Sequence, residues 1–488
     1  MKDLKKKTLT GLGWSSAGNL VGQAMQFVVS IILARLLMPE DFGLMAMVLV
    51  FTSLAQVFMN FGFGSALIQD KNAAQEDFST IFYLNVAIGI VLFIITFLIS
   101  DLVAQFYETE IISKILRILS VTFIISSFGI IPNIILTKEI DFNKVVKVDI
   151  TANFLSGLVA IILAYLDYGV YSLVAQSIMA SLLRTTFIFF ASRWTPSLVF
   201  EVASVKKYLN FSSNILFINI ISKTLDEMDT ILIGKFYPAA SLGIFNRAKT
   251  LRKYPLQIIG GGINKVMYPS LAKIQDDDER LVKYYSALIH ILSFLVIPVM
   301  FTLVIIAEPL ILLILTEKWI EVVPIFQILC LVGFMISIGG INSNIFLTKG
   351  KSRFLLKFET VKRILFSLII LASLRFGLKG MATAIALATT LSFLANLHFP
   401  GKLIGFKFYR QLKIISFYLV IAIFSSSVAL LYQFRLNEMN LLFQILIPSI
   451  QILIFYVFLV YFFKLKGFVL IMENLILPTI KKLELKKS

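Results

Sequence analysis

Runs of about 20 apolar residues recur from end to end of this chain, and that recurrence constrains its fold more than any other feature. As a helix rising 1.5 Å per residue, each run covers roughly 30 Å, the thickness of the hydrocarbon core of a bilayer. Fourteen such runs can be marked: 12–33, 43–67, 78–99, 115–136, 145–166, 170–191, 209–233, 239–271, 287–307, 322–347, 358–374, 380–399, 412–432 and 441–463. Hydrophobic residues make up 58% of the 488, against roughly 45–50% in soluble proteins, and only 15% are charged. Barrel strands would be shorter and would alternate in polarity. The expected fold is therefore an all-α integral membrane protein with about 14 transmembrane helices.

A net charge of +17 would suit a nucleic-acid partner, but the basic residues lie in short segments between apolar runs, where membrane topology puts them. With the N-terminus in the cytoplasm, 30 of the 45 Lys and Arg side chains fall on the cytoplasmic side and seven on the other. The remaining eight, Arg117, Arg184, Lys223, Arg247, Lys249, Arg252, Lys253 and Lys265, fall inside the runs. That bias sets both termini in the cytoplasm. The basic opening Met1-Lys-Asp-Leu-Lys-Lys-Lys7 leads into Trp14, Asn19, Gln23 and Gln26 with no small-residue cleavage site, which reads as an uncleaved first helix. Cys330 stands alone, so no disulfide framework or thiolate metal cluster is expected. His290 and His398, far apart in apolar runs, read as ordinary helix residues.

The chain resembles itself at a spacing of about 200 residues. Asn133-Ile-Ile-Leu-Thr-Lys138 returns as Asn344-Ile-Phe-Leu-Thr-Lys349, and Trp14-Ser-Ser16 as Phe211-Ser-Ser213. Arg35, Pro39 and Gly43 match Lys235, Pro238 and Gly243, and Gly169-x2-Ser172 matches Gly377-x2-Gly380. Six runs per half is an even number, so the halves enter the membrane in the same direction. Such parallel repeats build transporters whose two lobes rock around a central site. The expected division is 1–208 for the first six-helix lobe, 209–400 for the second, and 401–488 for two further helices and a basic tail.

Several segments together resemble the polysaccharide flippases of the multidrug/oligosaccharidyl-lipid/polysaccharide exporter superfamily, in the subgroup of colanic acid and teichuronic acid exporters. In the first half they are Asn60-Phe-Gly-Phe-Gly-Ser-Ala-Leu-Ile-Gln69, Thr80-Ile-Phe-Tyr-Leu-Asn85, Phe106-Tyr107, Gly169-Val-Tyr-Ser-Leu-Val-Ala-Gln176 and Trp194-Thr-Pro196. In the second they are Asp229-Thr-Ile-Leu-Ile-Gly234, Leu242-Gly-Ile-Phe-Asn-Arg-Ala248, Tyr268-Pro-Ser-Leu271, Glu308-Pro309, Trp319 and Lys349-Gly-Lys351. The resemblance implies a multi-pass protein of a bacterial cytoplasmic membrane. Its implied cargo is an undecaprenyl-pyrophosphate-linked oligosaccharide, moved from the inner to the outer leaflet by alternating access. No cofactor is implied; an ion gradient or the membrane potential would drive transport. Membrane lipids, a glycan polymerase and chain-length machinery are the implied partners, and nucleic acid is not.

An ionisable side chain inside a span costs at least about 2.5–3.5 kcal/mol, so it needs a use or a partner. The run 239–271 is the richest, with Asn246, Arg247, Lys249, Arg252 and Lys253. Asn246, Lys249 and Lys253 fall at i, i+3 and i+7 on one helical face, and Arg247, beside it, best matches the family's Asn-Arg-Ala motif. Cationic groups there would hold a pyrophosphate in a cavity or snorkel to the headgroups. In 209–233, Lys223 can pair with Asp226 or Glu227, while Asp229 would meet a base across the next turn or bind a coupling cation. Ser15, Asn19, Gln23 and Gln26 form one polar stripe, suited to glycan hydroxyls or to gluing helices together. Three other functions stay open: a drug/cation antiporter of the same superfamily, a lipid II flippase, and, from another class, a membrane glycan polymerase. The first lacks the midplane acid expected in the first lobe, and the last lacks an outer loop longer than about fifteen residues.

Overall fold

The computed structural model describes the backbone of residues 2–59, 63–436 and 438–472. Within these it describes all side chains but those of 2–17, 19, 65, 209–218, 261–266, 268, 269, 433, 434 and 471. Asn60, the side chains of Ser15 and Asn19, and the tail 473–488 thus lie outside the described residues.

The regular secondary structure of the described residues is all helical, with no strand. The first ten helices are α1 (Lys2–Leu36), α2 (Pro39–Met59), α3 (Phe63–Gln69), α4 (Gln75–Tyr107), α5 (Ile111–Lys138), α6 (Phe142–Tyr165), α7 (Val170–Ser192), α8 (Val202–Asp226), α9 (Met228–Phe236) and α10 (Ala239–Ala272). Then come α11 (Asp278–Ile305), α12 (Ala307–Leu315), α13 (Val322–Leu331), α14 (Gly333–Gly340), α15 (Asn342–Thr348), α16 (Ser352–Ser373), α17 (Gly377–Leu403), α18 (Phe408–Leu436), α19 (Leu441–Phe462) and α20 (Lys466–Ile471). Ten stretches among the described residues are long and apolar enough to cross a membrane, one of them holding both α16 and α17. This is a multi-pass, all-α membrane protein.

Among the described residues every expected span is helical, but some are interrupted. The run 209–233 divides at Glu227, and residues 60–62 of the run 43–67 lie outside the described residues. The run 322–347 is broken at Val332 and Ile341, next to Gly333 and Gly340, residues that weaken a helix. The apolar α12 escaped the hydropathy pattern because its nine residues are too few to span a bilayer.

Two compact units, Met1–Asn246 and Arg247–Ser488, divide the chain inside α10. In the first, α4 packs along α5, α5 on α7, α7 on α6 and α6 on α1, while α2 touches α5, α7, α8 and α9. The polar connection after α7 is a strap. Trp194 Nε1 donates to Gln75 Oε1 (2.7 Å), Gln75 Nε2 to the Thr195 carbonyl (2.8 Å), and the Ser197 N–H and hydroxyl both to Ser79 Oγ (2.9 Å). At the start of α8, Lys207 pairs with Asp70 (2.6 Å) and the Tyr208 hydroxyl donates to the same carboxylate (2.8 Å). The Lys207 ammonium holds the Asp70 carboxyl well below the usual carboxylate range, so this link persists until strongly acid pH. In the second unit α11 is the hub, contacting α13, α14, α18, α19 and α20. Tyr285 of α11 bonds Asn342 and, at 3.3 Å, Gln411 of α18, while His290 shares a 2.8 Å hydrogen bond with Tyr418.

The repeat is visible as geometry. In both halves the threonine of the Asn-x-x-Leu-Thr-Lys motif donates to the asparagine carbonyl at 2.8 Å. The following lysine then bonds carbonyls at the end of an earlier helix. Lys138 reaches Leu67 (3.1 Å) and Asp70 (2.9 Å) after α3, and Lys349 reaches Gln275 (2.7 Å) after α10. A cation suits that place because the last carbonyls of a helix are unsatisfied and carry partial negative charge. Gly169 and Gly377, paired by the repeat, open α7 and α17 at φ of 53° and 68°, where a side chain would be strained. The other matched glycines touch reciprocally. A Cβ on Gly43 would lie 1.7 Å from the Ala239 carbonyl oxygen, and one on Gly243 1.9 Å from that of Pro39.

Both obstacles are backbone, so neither clash relaxes by moving a side chain. Gly43→Ala and Gly243→Ala should each destabilise the solubilised protein by about 1–3 kcal/mol or more. Gly340→Ala, with nothing within 4 Å of the added carbon, should not. Melting temperatures of the three variants check this.

Candidate functional site

Five helices of the first unit enclose a cavity of about 520 Å³. Gln56 and Met59 of α2, Phe63 and Gly64 of α3, and Asn85 of α4 line one part. Ser126, Ile130, Asn133 and Ile134 of α5 and Arg184 of α7 line the rest. Arg184 is anchored: Nε donates to Asp149 Oδ1 of α6 at 2.8 Å and Nη2 to Asn133 Oδ1 at 3.3 Å. Ser126 and Ser181 share a hydrogen bond of 2.7 Å across α5 and α7. Asn85 is 1% exposed, yet neither its amide nitrogen nor its oxygen has a hydrogen-bond partner among the described residues. Leaving such a group unpaired costs about 1–3 kcal/mol, which α4 bears within an otherwise apolar stretch. Next to Asn133 in α5, Pro132 lacks the N–H that would bond the Phe128 carbonyl.

The cationic segment of α10 supplies a second group. Arg247 is 5% exposed, its guanidinium carbon 5.2 Å from the ring centre of the fully buried Trp319. A cation over an indole face gains about 2 kcal/mol or more when desolvated. Asn246, Lys249 and Arg252 are half-buried on the same helix and Lys253 is exposed. In α8, Lys223 pairs with Glu227 at 2.7 Å, leaving Asp226 exposed. Asp229, buried in the first turn of α9, accepts from the Thr230 N–H (2.8 Å) and hydroxyl (3.3 Å). Gln23 is half-buried, with its amide oxygen unbonded among the described residues, and Gln26 is exposed. Among the described residues no cluster of His, Cys, Asp or Glu could hold a metal ion.

None of the side chains selected from the sequence as cargo or ion ligands lines the cavity of the first unit. Its residues left partial signals. Asn85 and Asn133 sat in motifs without an assigned role, and Arg184 was one of the eight cations inside spans. What hid them was distance along the chain, since Gln56 and Arg184 are brought together only by helix packing.

A sequence model of the polysaccharide biosynthesis protein family matches residues 32–324. The lipopolysaccharide biosynthesis protein WzxC of Escherichia coli (strain K12) is 27% identical over 365 residues, 74% of each chain. The teichuronic acid biosynthesis protein TuaB of Bacillus subtilis (strain 168) is 27% identical over 397 residues, 81% of this chain and 82% of that one. Among solved structures, the lipid II flippase MurJ in an inward closed conformation superposes with a TM-score of 0.75 at 17% identity. It covers 92% of this chain and 98% of its own, a likeness of fold.

The Arg184–Asp149 pair predicts a measurable coupling. Asp149→Asn and Arg184→Gln should each lower the melting temperature, and the double variant should recover part of the sum, with an interaction of about 0.5–3 kcal/mol. Strict additivity would mean that the pair contributes nothing.

Proposed function

The chain belongs to the polysaccharide biosynthesis protein family, and from that premise we propose that it is a flippase for a lipid-linked oligosaccharide. The family match, over more than half the chain and on a fold shared with a lipid II flippase, is the observation that carries this reading. The cargo is an undecaprenyl-pyrophosphate-linked repeat unit, taken from the inner to the outer leaflet of a bacterial cytoplasmic membrane for surface polysaccharide assembly. The chain acts as a carrier and breaks no bond of its cargo. Both termini face the cytoplasm, in keeping with the distribution of Lys and Arg. Access alternates between the two leaflets, driven by an ion gradient or the membrane potential without a cofactor, and a polymerase with chain-length machinery takes up the product.

Such a cargo sets a physical problem, because a pyrophosphate and a hydrated glycan must pass about 30 Å of hydrocarbon. Cationic side chains inside spans lower that barrier for the anion, and Arg247 is the strongest candidate. Its charge is buried in α10, and its planar fork matches phosphate oxygens in a way an ammonium cannot. Trp319 orients the guanidinium plane by stacking beneath it. Asn246, Lys249, Arg252 and Lys253 extend the polar stretch of α10, and Asn19, Gln23 and Gln26 offer amides to the glycan. Asp229, Asp226 and Lys223 are the candidates for ion coupling.

Arg247→Ala should lower surface polysaccharide roughly tenfold to a hundredfold, the loss expected for one or two charge-assisted hydrogen bonds. Protein in the membrane should be unchanged and the lipid-linked precursor should accumulate. Arg247→Lys should recover only part of the export; full recovery would mean that a point charge suffices.

A further inference from the structure

The cavity between α2 and α7 is built for something other than an ion. Among the described residues that line it, the one formal cation, Arg184, is matched by Asp149 at 2.8 Å, so these residues offer neither an anion nor a cation an uncompensated charge. What remains is a mixture of amide and hydroxyl groups, Gln56, Asn85, Asn133 and Ser126, set among the apolar walls of Met59, Phe63, Ile130 and Ile134. Because Asn133 Oδ1 is used by Arg184, its amide N–H groups are the part left to donate. Asn85 offers both a donor and an acceptor, unpaired among the described residues and almost fully buried. A pyranose ring has the complementary surface: a rim of hydroxyls that both give and accept hydrogen bonds, and C–H faces that lie against apolar and aromatic side chains. The volume of about 520 Å³ falls within the roughly 300–1,000 Å³ typical of small-molecule sites.

We propose that this cavity is a sugar subsite that takes one neutral pyranose residue of the cargo, with Asn85 as the recognising side chain. The proposal rests on the flippase reading and adds to it a place where the glycan is held apart from the pyrophosphate. Recognition follows from desolvation. A hydroxyl that meets Asn85 exchanges its water for an amide that has no other partner, whereas a sugar lacking that hydroxyl leaves the amide unsatisfied. Gln56, exposed at the end of α2 nearest the cavity lining, contributes the second amide.

The test uses the full-length protein in lipid nanodiscs, with melting temperature read against a panel of methyl glycosides and against sodium pyrophosphate. At least one methyl glycoside should raise the melting temperature of the wild type, and none should raise that of Asn85→Leu. The pyrophosphate response should be the same in both. Without ligand, Asn85→Leu should melt at or above the wild type, because it removes an unpaired buried amide. In cells it should lower surface polysaccharide about tenfold or more, with the lipid-linked precursor accumulating. If Asn85→Leu does not reach the membrane, Gln56→Leu, at an exposed position, should weaken the same glycoside response. The proposal falls if no glycoside stabilises the wild type, if the tested variant keeps the full response, or if it loses the pyrophosphate response instead. Normal export by Asn85→Leu beside failure of Arg247→Ala would remove the sugar subsite and leave the flippase reading standing. Undiminished surface polysaccharide and no accumulated precursor after deletion of the whole chain would remove the flippase reading itself.

Discussion

Hydrocarbon offers no hydrogen bond, so every polar group placed in it must find its partner inside the protein or bear the cost. The rest of this structure follows from that constraint. The backbone answers it by taking only helices as its regular structure among the described residues. Side chains answer it locally: Thr137 and Thr348 return their hydroxyls to carbonyls one turn back, and Lys138 and Lys349 bond carbonyls at or just beyond helix ends. Arg184 meets Asp149, and Arg247 lies over Trp319. Against this economy an unpaired buried amide such as Asn85 stands out, and it lines a cavity.

Within the first unit, α8 and α9 are held at both ends. Lys207 and Tyr208 fasten the start of α8 to Asp70, and Lys235 at the end of α9 bonds Glu108 at 2.7 Å. Next to that second anchor, Gly234 approaches Tyr107, and the Gly43 and Gly243 contacts bring two helix starts together backbone to backbone. Between the anchors the helix is interrupted at Glu227, whose carboxylate is neutralised by Lys223. A helix anchored at its ends and broken between them concentrates any bending at one place.

Much of the fold was legible because hydropathy and helical length are local properties of the chain. The repeat was legible for the same reason, and the structure gives its residues a physical purpose: the lysines of its motif close helix ends, and its glycines allow positive φ or backbone contact. Breaks within spans were less legible, since Glu227 and Val332 interrupt runs whose hydropathy continues across them. The cationic stretch of α10 stood out because four cations and an asparagine crowd into eight positions. The cavity of the first unit did not, because Gln56, Asn85, Asn133 and Arg184 lie on four different helices, far apart along the chain. Their meeting is a product of packing, and local pattern carries no record of it.

The account centres on movement of a lipid-linked oligosaccharide between leaflets, and reconstitution reads that movement directly. Purified protein is inserted into liposomes whose inner and outer leaflets both contain a radiolabelled undecaprenyl-pyrophosphate-linked repeat unit, and a membrane-impermeant glycosidase is added outside. With an ion gradient imposed, the account predicts that cleavage proceeds beyond the outer-leaflet fraction towards completion. Protein-free liposomes should stop at that fraction. Cleavage that halts at the outer-leaflet fraction in the presence of folded protein, under every gradient and potential tried, would contradict the account.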